Sequence, residues 1–260
     1  MCVRLAALLA AGLAAALVPP PEARAELLTT ALSSDRVLIE SNFTGAEIVV
    51  FGQIGRDAQT VTRSGAYDLA VVVRGPDQVV TTRRKERFLG LWVNREAETF
   101  YAVPSFYVLS STRTPTEMGA RRMLEKYGIG INYLNLPISP QSDVPLSERD
   151  DFRDAFLRLR RQHGDYLEQT GKVEFLSETL FRTTVALPAT TPVGEYTVET
   201  FLMNGGAMLA SQQKSLTVAK TGFEQMAFDL AHERPTLYGI LAVVIAIFTG
   251  WLAGVIFRKD

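Results

Sequence analysis

The chain is short of the residues that most often carry chemistry. It has one cysteine, Cys2, and two histidines, His163 and His232. A single cysteine excludes an intramolecular disulfide and a cysteine-rich zinc site, and two histidines leave little for a histidine-based metal centre. It also lacks an excess of either charge: 27 Lys and Arg stand against 28 Asp and Glu, a formal net charge of −1. That balance argues against a nucleic-acid binder with a strongly basic surface. No G-x-S-x-G elbow, phosphate-binding P-loop or H-E-x-x-H motif occurs. The expectation is therefore no enzyme and no cofactor. With 47% hydrophobic residues in 260, the chain is too apolar for a disordered protein and not apolar enough for a polytopic membrane protein.

What is present lies first at the two ends. Met1 to Arg4 is a short basic start, Leu5 to Val18 is an apolar run, and Ala23-Arg24-Ala25 follows three prolines. This pattern predicts a secretory signal over residues 1–25, cleaved after Ala25, with Ala23 and Ala25 as the small residues of the cleavage site. At about 1.5 Å per residue the run is too short for a hydrocarbon core of about 30 Å. Leu237 to Phe257 is apolar and uncharged, and Arg258-Lys259-Asp260 follows. As a helix it reaches about 32 Å, enough to span. The basic tail suits a cytoplasmic end. The expected topology is a periplasmic body on residues 26–220, a juxtamembrane segment on 221–236, one span on 237–257 and a cytoplasmic tail on 258–260. Within the span, Ala242, Ala246, Gly250 and Gly254 recur every four residues. Small residues on one face let helices approach closely, so this stripe is the candidate packing surface for an integral membrane partner or a second copy.

Between Glu26 and Phe257 the charge is 23 basic against 26 acidic residues, and no cysteine supports the fold. The first half reads as strands: Arg36–Glu40, Glu47–Gly52, Tyr67–Val73, Val79–Thr82, Phe88–Val93 and Thr99–Leu109, the last broken by Pro104 into an edge strand or two pieces. Thr114-Pro115-Thr116-Glu117 predicts a capped helix running to Tyr127 and stopping at Gly128. A second helix opens at Ser147, with Phe152, Ala155, Phe156 and Leu159 on one face and Asp150 and Asp151 as first-turn acids. The last third returns to strands, with Asn204-Gly205-Gly206 as a tight hairpin signal. The expected fold is mainly β: an immunoglobulin-like antiparallel sandwich with a helical insertion at about 114–168, plus one C-terminal transmembrane helix. Two small β-domains joined by the helices is the other arrangement.

Few residues stand out for binding. Arg83-Arg84-Lys85-Glu86-Arg87 is the densest basic run. Arg83, Arg84, Lys85 and Arg87 could contact an anion or lipid head groups, or could guard a hairpin edge against β-pairing. Trp92, Tyr101, Phe106 and Tyr107 could line a groove or fill a core.

The segments "ALSSDRVLIESNFTGAEIVVFG" (Ala31 to Gly52), "YDLAVVVRGP" (Tyr67 to Pro76) and "FYAVPSFYVLSSTR" (Phe100 to Arg113), with the C-terminal span, resemble a transmembrane protein family of alphaproteobacteria. The resemblance covers nearly the whole mature chain. It implies a single-pass inner-membrane protein with a periplasmic body and brings no catalytic motif. The resemblance also implies genes that lie near permeases of the sulfite-exporter type, and so a transport-associated role. The leading expectation is a non-enzymatic binding or accessory module for a membrane partner such as a transporter. A ligand- or envelope-binding receptor and a hydrolase with dispersed carboxylates are the alternatives.

Overall fold

The computed structural model describes residues 26–40, 43–55, 66–139, 142, 144–220 and 230–256. The signal-like segment with Ala23 and Ala25, most of the juxtamembrane segment and the basic tail lie outside the described residues. Strand makes up 49% of the fold and helices are few, so the chain is mainly β.

One sheet holds β1 (Leu27–Leu32), β3 (Gly45–Gly55), β10 (Leu180–Pro188) and β9 (Glu174–Phe175), in the order β1-β3-β10-β9. A second holds β2 (Arg36–Ile39), β12 (Ala207–Lys220), β11 (Gly194–Asn204), β4 (Asp68–Arg74), β7 (Tyr107–Ser111) and β8 (Tyr166–Thr170), in that order. Neighbours are antiparallel except at the two ends, where β2 runs parallel to β12 and β8 parallel to β7. β5 (Asp77–Phe88) and β6 (Leu91–Pro104) form a separate long hairpin. The helices are α1 (Pro115–Met118), α2 (Arg121–Tyr127), α3 (Leu146–His163) and α4 (Pro235–Ile256), with a 3-10 turn at Ile131–Tyr133.

Burial patterns explain the layers. On β3 and β10 burial alternates: Ile48, Val50 and Ile54, with Phe181, Val185 and Leu187, point inward while their neighbours meet water. Such alternation belongs to a sheet with one solvated face. On β4 every residue from Asp68 to Val73 is buried, because its sheet is covered on both sides. Val71 and Val73 pack with Ile48, Val50, Val185 and Leu187 between the sheets. Ala70 and Val72 pack on the other side with Met118, Leu124, Phe152 and Phe156 of the helices and Phe100 and Val103 of the hairpin. The first sheet, the six-stranded sheet and the helix–hairpin layer are thus three layers around a shared centre. Gly52 is fixed by close approach: a Cβ there would sit 2.7 Å from the Phe181 ring.

Several expected boundaries hold. Pro104 ends β6 and the chain restarts as β7, giving two pieces. Gly205 and Gly206, both at positive φ, close the β11–β12 hairpin between Asn204 and Ala207. Others differ. The helix expected from Thr114 to Tyr127 is interrupted by an extended Gly119. Six residues of helix rotate a side chain by about 600°, so one continuous helix could not turn both Met118 and Leu124 to the same core; the break allows both to be fully buried. The Thr114 side chain makes no cap bond. On α3 the buried residues are Phe152, Phe156 and Leu157, while Leu159 is exposed. The helix starts at Leu146, so Glu148 is its first-turn acid and Asp150 and Asp151 sit a turn later. The apolar stretch expected as a strand over Phe88–Val93 contains the turn of the β5–β6 hairpin, and the basic run lies within β5.

Candidate functional site

Several buried polar groups of the body tie neighbouring elements together. The Asp68 carboxylate, nearly inaccessible to solvent, accepts from Nε and Nη2 of Arg113 and from the Thr112 hydroxyl. The Arg74 guanidinium pairs with Glu199 and donates to the carbonyls of Tyr127 and Gly128, tying β4 and β11 to the end of α2. Burial lowers the Arg74 pKa from its ordinary value. The Glu98 carboxylate accepts from the Ser142 hydroxyl at 2.6 Å and lies 4.0 Å from Arg149 Nε. Glu168 accepts from the Ile131 amide.

Tyr107 is the best-placed of these groups. Its hydroxyl donates to the Gly128 carbonyl at 2.9 Å and accepts from the Gly130 amide at 2.7 Å. Burial pushes the Tyr107, Tyr166 and Tyr196 hydroxyls above the usual tyrosine range, so each is a neutral donor. The Tyr166 hydroxyl donates to the Pro104 carbonyl at 2.6 Å. Tyr107→Phe strands the buried Gly130 amide, and the expected loss is about 2 kcal/mol of stability. Chemical denaturation checks this; an unchanged midpoint counts against the clamp.

Two neighbouring cavities open along one side of the sandwich. The first, about 470 Å³, lies between β3 and β10 on one sheet and β7 and β8 on the other, and is lined by Phe106, Val108, Leu167, Ala186, Leu187 and Pro188 among others. The second, about 420 Å³, is polar and includes Glu47, Lys172, Glu174 and Arg182. β9 pairs with β10 only at Phe181 and Arg182, and β8 is the outer strand of its sheet, so the two sheet margins flank the groove. The four aromatics singled out from the sequence do not meet. Phe106 borders the first cavity and Tyr107 is in the core, whereas Trp92 and Tyr101 are exposed on the hairpin.

The basic run divides by strand alternation. Arg83, Lys85 and Arg87 are exposed. Arg84 faces the helix layer, pairing with Glu96 (3.2 Å), Glu148 (2.6 Å) and Asp151 (3.3 Å) and lying over the Phe152 ring. It anchors the hairpin to α3 and is not available to an anion. That pairing raises the Arg84 pKa further. His163 is exposed at the end of α3. Among the described residues no group of three metal-ligating side chains comes together.

The C-terminal helix is apolar and exposed from Pro235 to Gly254. Pro235–Gly254 has a mean hydropathy of 2.1 and none of it is buried. Ala242, Ala246, Gly250 and Gly254 share one side at four-residue spacing, and a Cβ at Gly250 or Gly254 would touch nothing. Residues 27–259 match the family described as "Putative transmembrane protein (Alph_Pro_TM)". The chain belongs to that family. Family and helix together make it a membrane protein, as the sequence resemblance implied, with one candidate span among the described residues. No curated protein matches the chain. Among solved structures it is similar to Spo0M, the sporulation control protein from Bacillus subtilis, at 13% identity and a TM-score of 0.30. That match covers 81% of this chain and 56% of that one, and a likeness this distant says nothing of function.

Proposed function

We propose that this is a non-enzymatic, membrane-anchored module that binds or supports an integral membrane partner, such as a transporter. The observation that carries the reading is α4: its uncharged surface, small-residue side included, is open from Pro235 to Gly254. Acids in the body serve as clamps, Asp68, Glu98, Glu168 and Glu199 each holding donors. The body lies in the periplasm, the anchor in the inner membrane and residues 258–260 in the cytoplasm; Arg258 and Lys259 after the span support that orientation. An immunoglobulin-like identity for the sandwich is supported by its strand orders and by Tyr196, near the start of β11, whose hydroxyl donates to the Pro192 carbonyl at 2.7 Å.

Crosslinking of the full-length protein in native membranes, followed by affinity capture, tests the proposal. A crosslinked species, hetero or homo, is expected, and Gly250→Leu with Gly254→Leu removes most of it without releasing the protein from membranes. Uncrosslinked monomer, unchanged by those substitutions, would overturn it. A second reading, a receptor for an envelope ligand, is favoured by the groove between β3, β10, β7 and β8. A ligand that protects Leu167 and Ala186 from solvent labelling would support it.

A further inference from the structure

The β5–β6 hairpin ends in four large apolar residues that contribute to none of the cores. Phe88 is 56% exposed, Leu89 88%, Leu91 70% and Trp92 70%. Phe88 pairs with Leu91, so Leu89 and Gly90 form a two-residue loop. Both are at positive φ, 48° and 85°, as the type I′ hairpin turn requires. The first position of that turn favours Asn or Asp, and a leucine there is strained. Leu89 thus accepts local strain while its side chain stays exposed and outside every core.

The charges around the tip are predominantly basic. From Arg83 to Arg95 there are five basic residues and one acid, Glu86. Arg84 is held by its three acids and Arg95 by Glu86 at 3.5 Å. Arg83, Lys85 and Arg87 alternate along the outer side of β5 and have no acidic partner among the described residues. Beyond Arg84 the hairpin therefore has an apolar end followed by a basic collar. Trp, Phe and Leu at the tip match the apolar boundary of a bilayer, and Arg and Lys behind them match anionic head groups. A protein partner would be equally served by the apolar tip; the unpaired basic collar favours lipid.

We propose that the Phe88–Trp92 tip, with Arg83, Lys85 and Arg87, docks on the surface of an anionic bilayer, giving the body a second membrane contact besides α4. This rests on α4 being the span. Fourteen residues separate Lys220 from Pro235, a reach of at most about 50 Å. The body is therefore held near the bilayer, and even a weak contact forms at high effective concentration.

Trp92 and Trp251 are the two tryptophans, so full-length protein carrying Trp251→Phe reports on the tip alone. It is reconstituted in vesicles of phosphatidylcholine with or without phosphatidylglycerol, with or without brominated acyl chains. With phosphatidylglycerol, Trp92 emission is expected to move to the blue and be quenched by the brominated chains. Each of Arg83→Ser, Lys85→Ser and Arg87→Ser should lower the docked-to-free ratio roughly fivefold, and high salt should act in the same direction. Leu89→Asn relieves the turn, so it should weaken quenching while leaving thermal stability equal or higher. Trp92 emission that stays red and open to aqueous iodide in both vesicles overturns the proposal. So does a blue shift without quenching, which marks a protein or a second copy on the tip. Resistance of the protein to alkaline carbonate extraction separately reports on the span: extracted protein fails that reading, and retained protein with aqueous Trp92 fails only the tip.

Discussion

Truncation after Lys220 is expected to move the protein from the carbonate-resistant membrane fraction to the soluble fraction. The twelve Leu, Ile, Val and Phe residues between Leu237 and Phe257 each favour insertion by roughly 0.3–0.6 kcal/mol, about 5 kcal/mol together. No acid or base between Leu237 and Phe257 opposes this. Nothing in the three cores comes from α4, so the truncated body should keep its stability while losing its anchor. Contact through the hairpin tip would survive only as weak association that salt removes. A truncated chain that still resists carbonate would place the anchor elsewhere.

Phe156→Ala is expected to cost about 3–5 kcal/mol, the range for a large ring removed from a packed interior. Folded domains have about 5–15 kcal/mol in total, so much of the body would unfold under mild stress. Three segments meet at this ring. Its centroid lies 5.3 Å from that of Phe100 on β6 and 5.9 Å from that of Tyr166 on β8, and the Arg160 guanidinium stacks 5.4 Å away. Removing it loosens α3 from the hairpin and from the end strand together. Leu159→Ala, on the same helix but exposed, should change stability by no more than about 0.5 kcal/mol. Urea unfolding of the two variants compares them. Equal midpoints would contradict the face assigned to α3.

The contrast between these two residues shows where sequence reading stops. Periodicity put Phe152, Phe156 and Leu159 on one face of a helix, and three turns of such a helix offer more than one apolar stripe. Which stripe is buried depends on the hairpin and β8, which the local pattern does not contain. The β11–β12 hairpin was legible because Gly205-Gly206 is chemistry that few other structures want. The β5–β6 hairpin was not, because Leu89 occupies a turn position meant for Asn and its flanks read as an ordinary strand. The single signal in the sequence was Gly90. The span and its small-residue side were legible because length and lack of charge decide them. The groove was not, since it exists only where β8 and β10, brought together by pairing with distant strands, leave their margins side by side.

One pairing bears on the order in which the molecule can be built. Val37 of β2 lies beside Val218 of β12, and Arg36 beside Thr217. The first of these strands is made early and must wait for nearly the whole body before its neighbour exists. β3 likewise waits for β10. Contacts so far apart in the chain form slowly and late. The last strand ends at Lys220 and the C-terminal helix begins at Pro235. The strand that completes the sheet and the candidate span thus lie only fourteen residues apart in the chain.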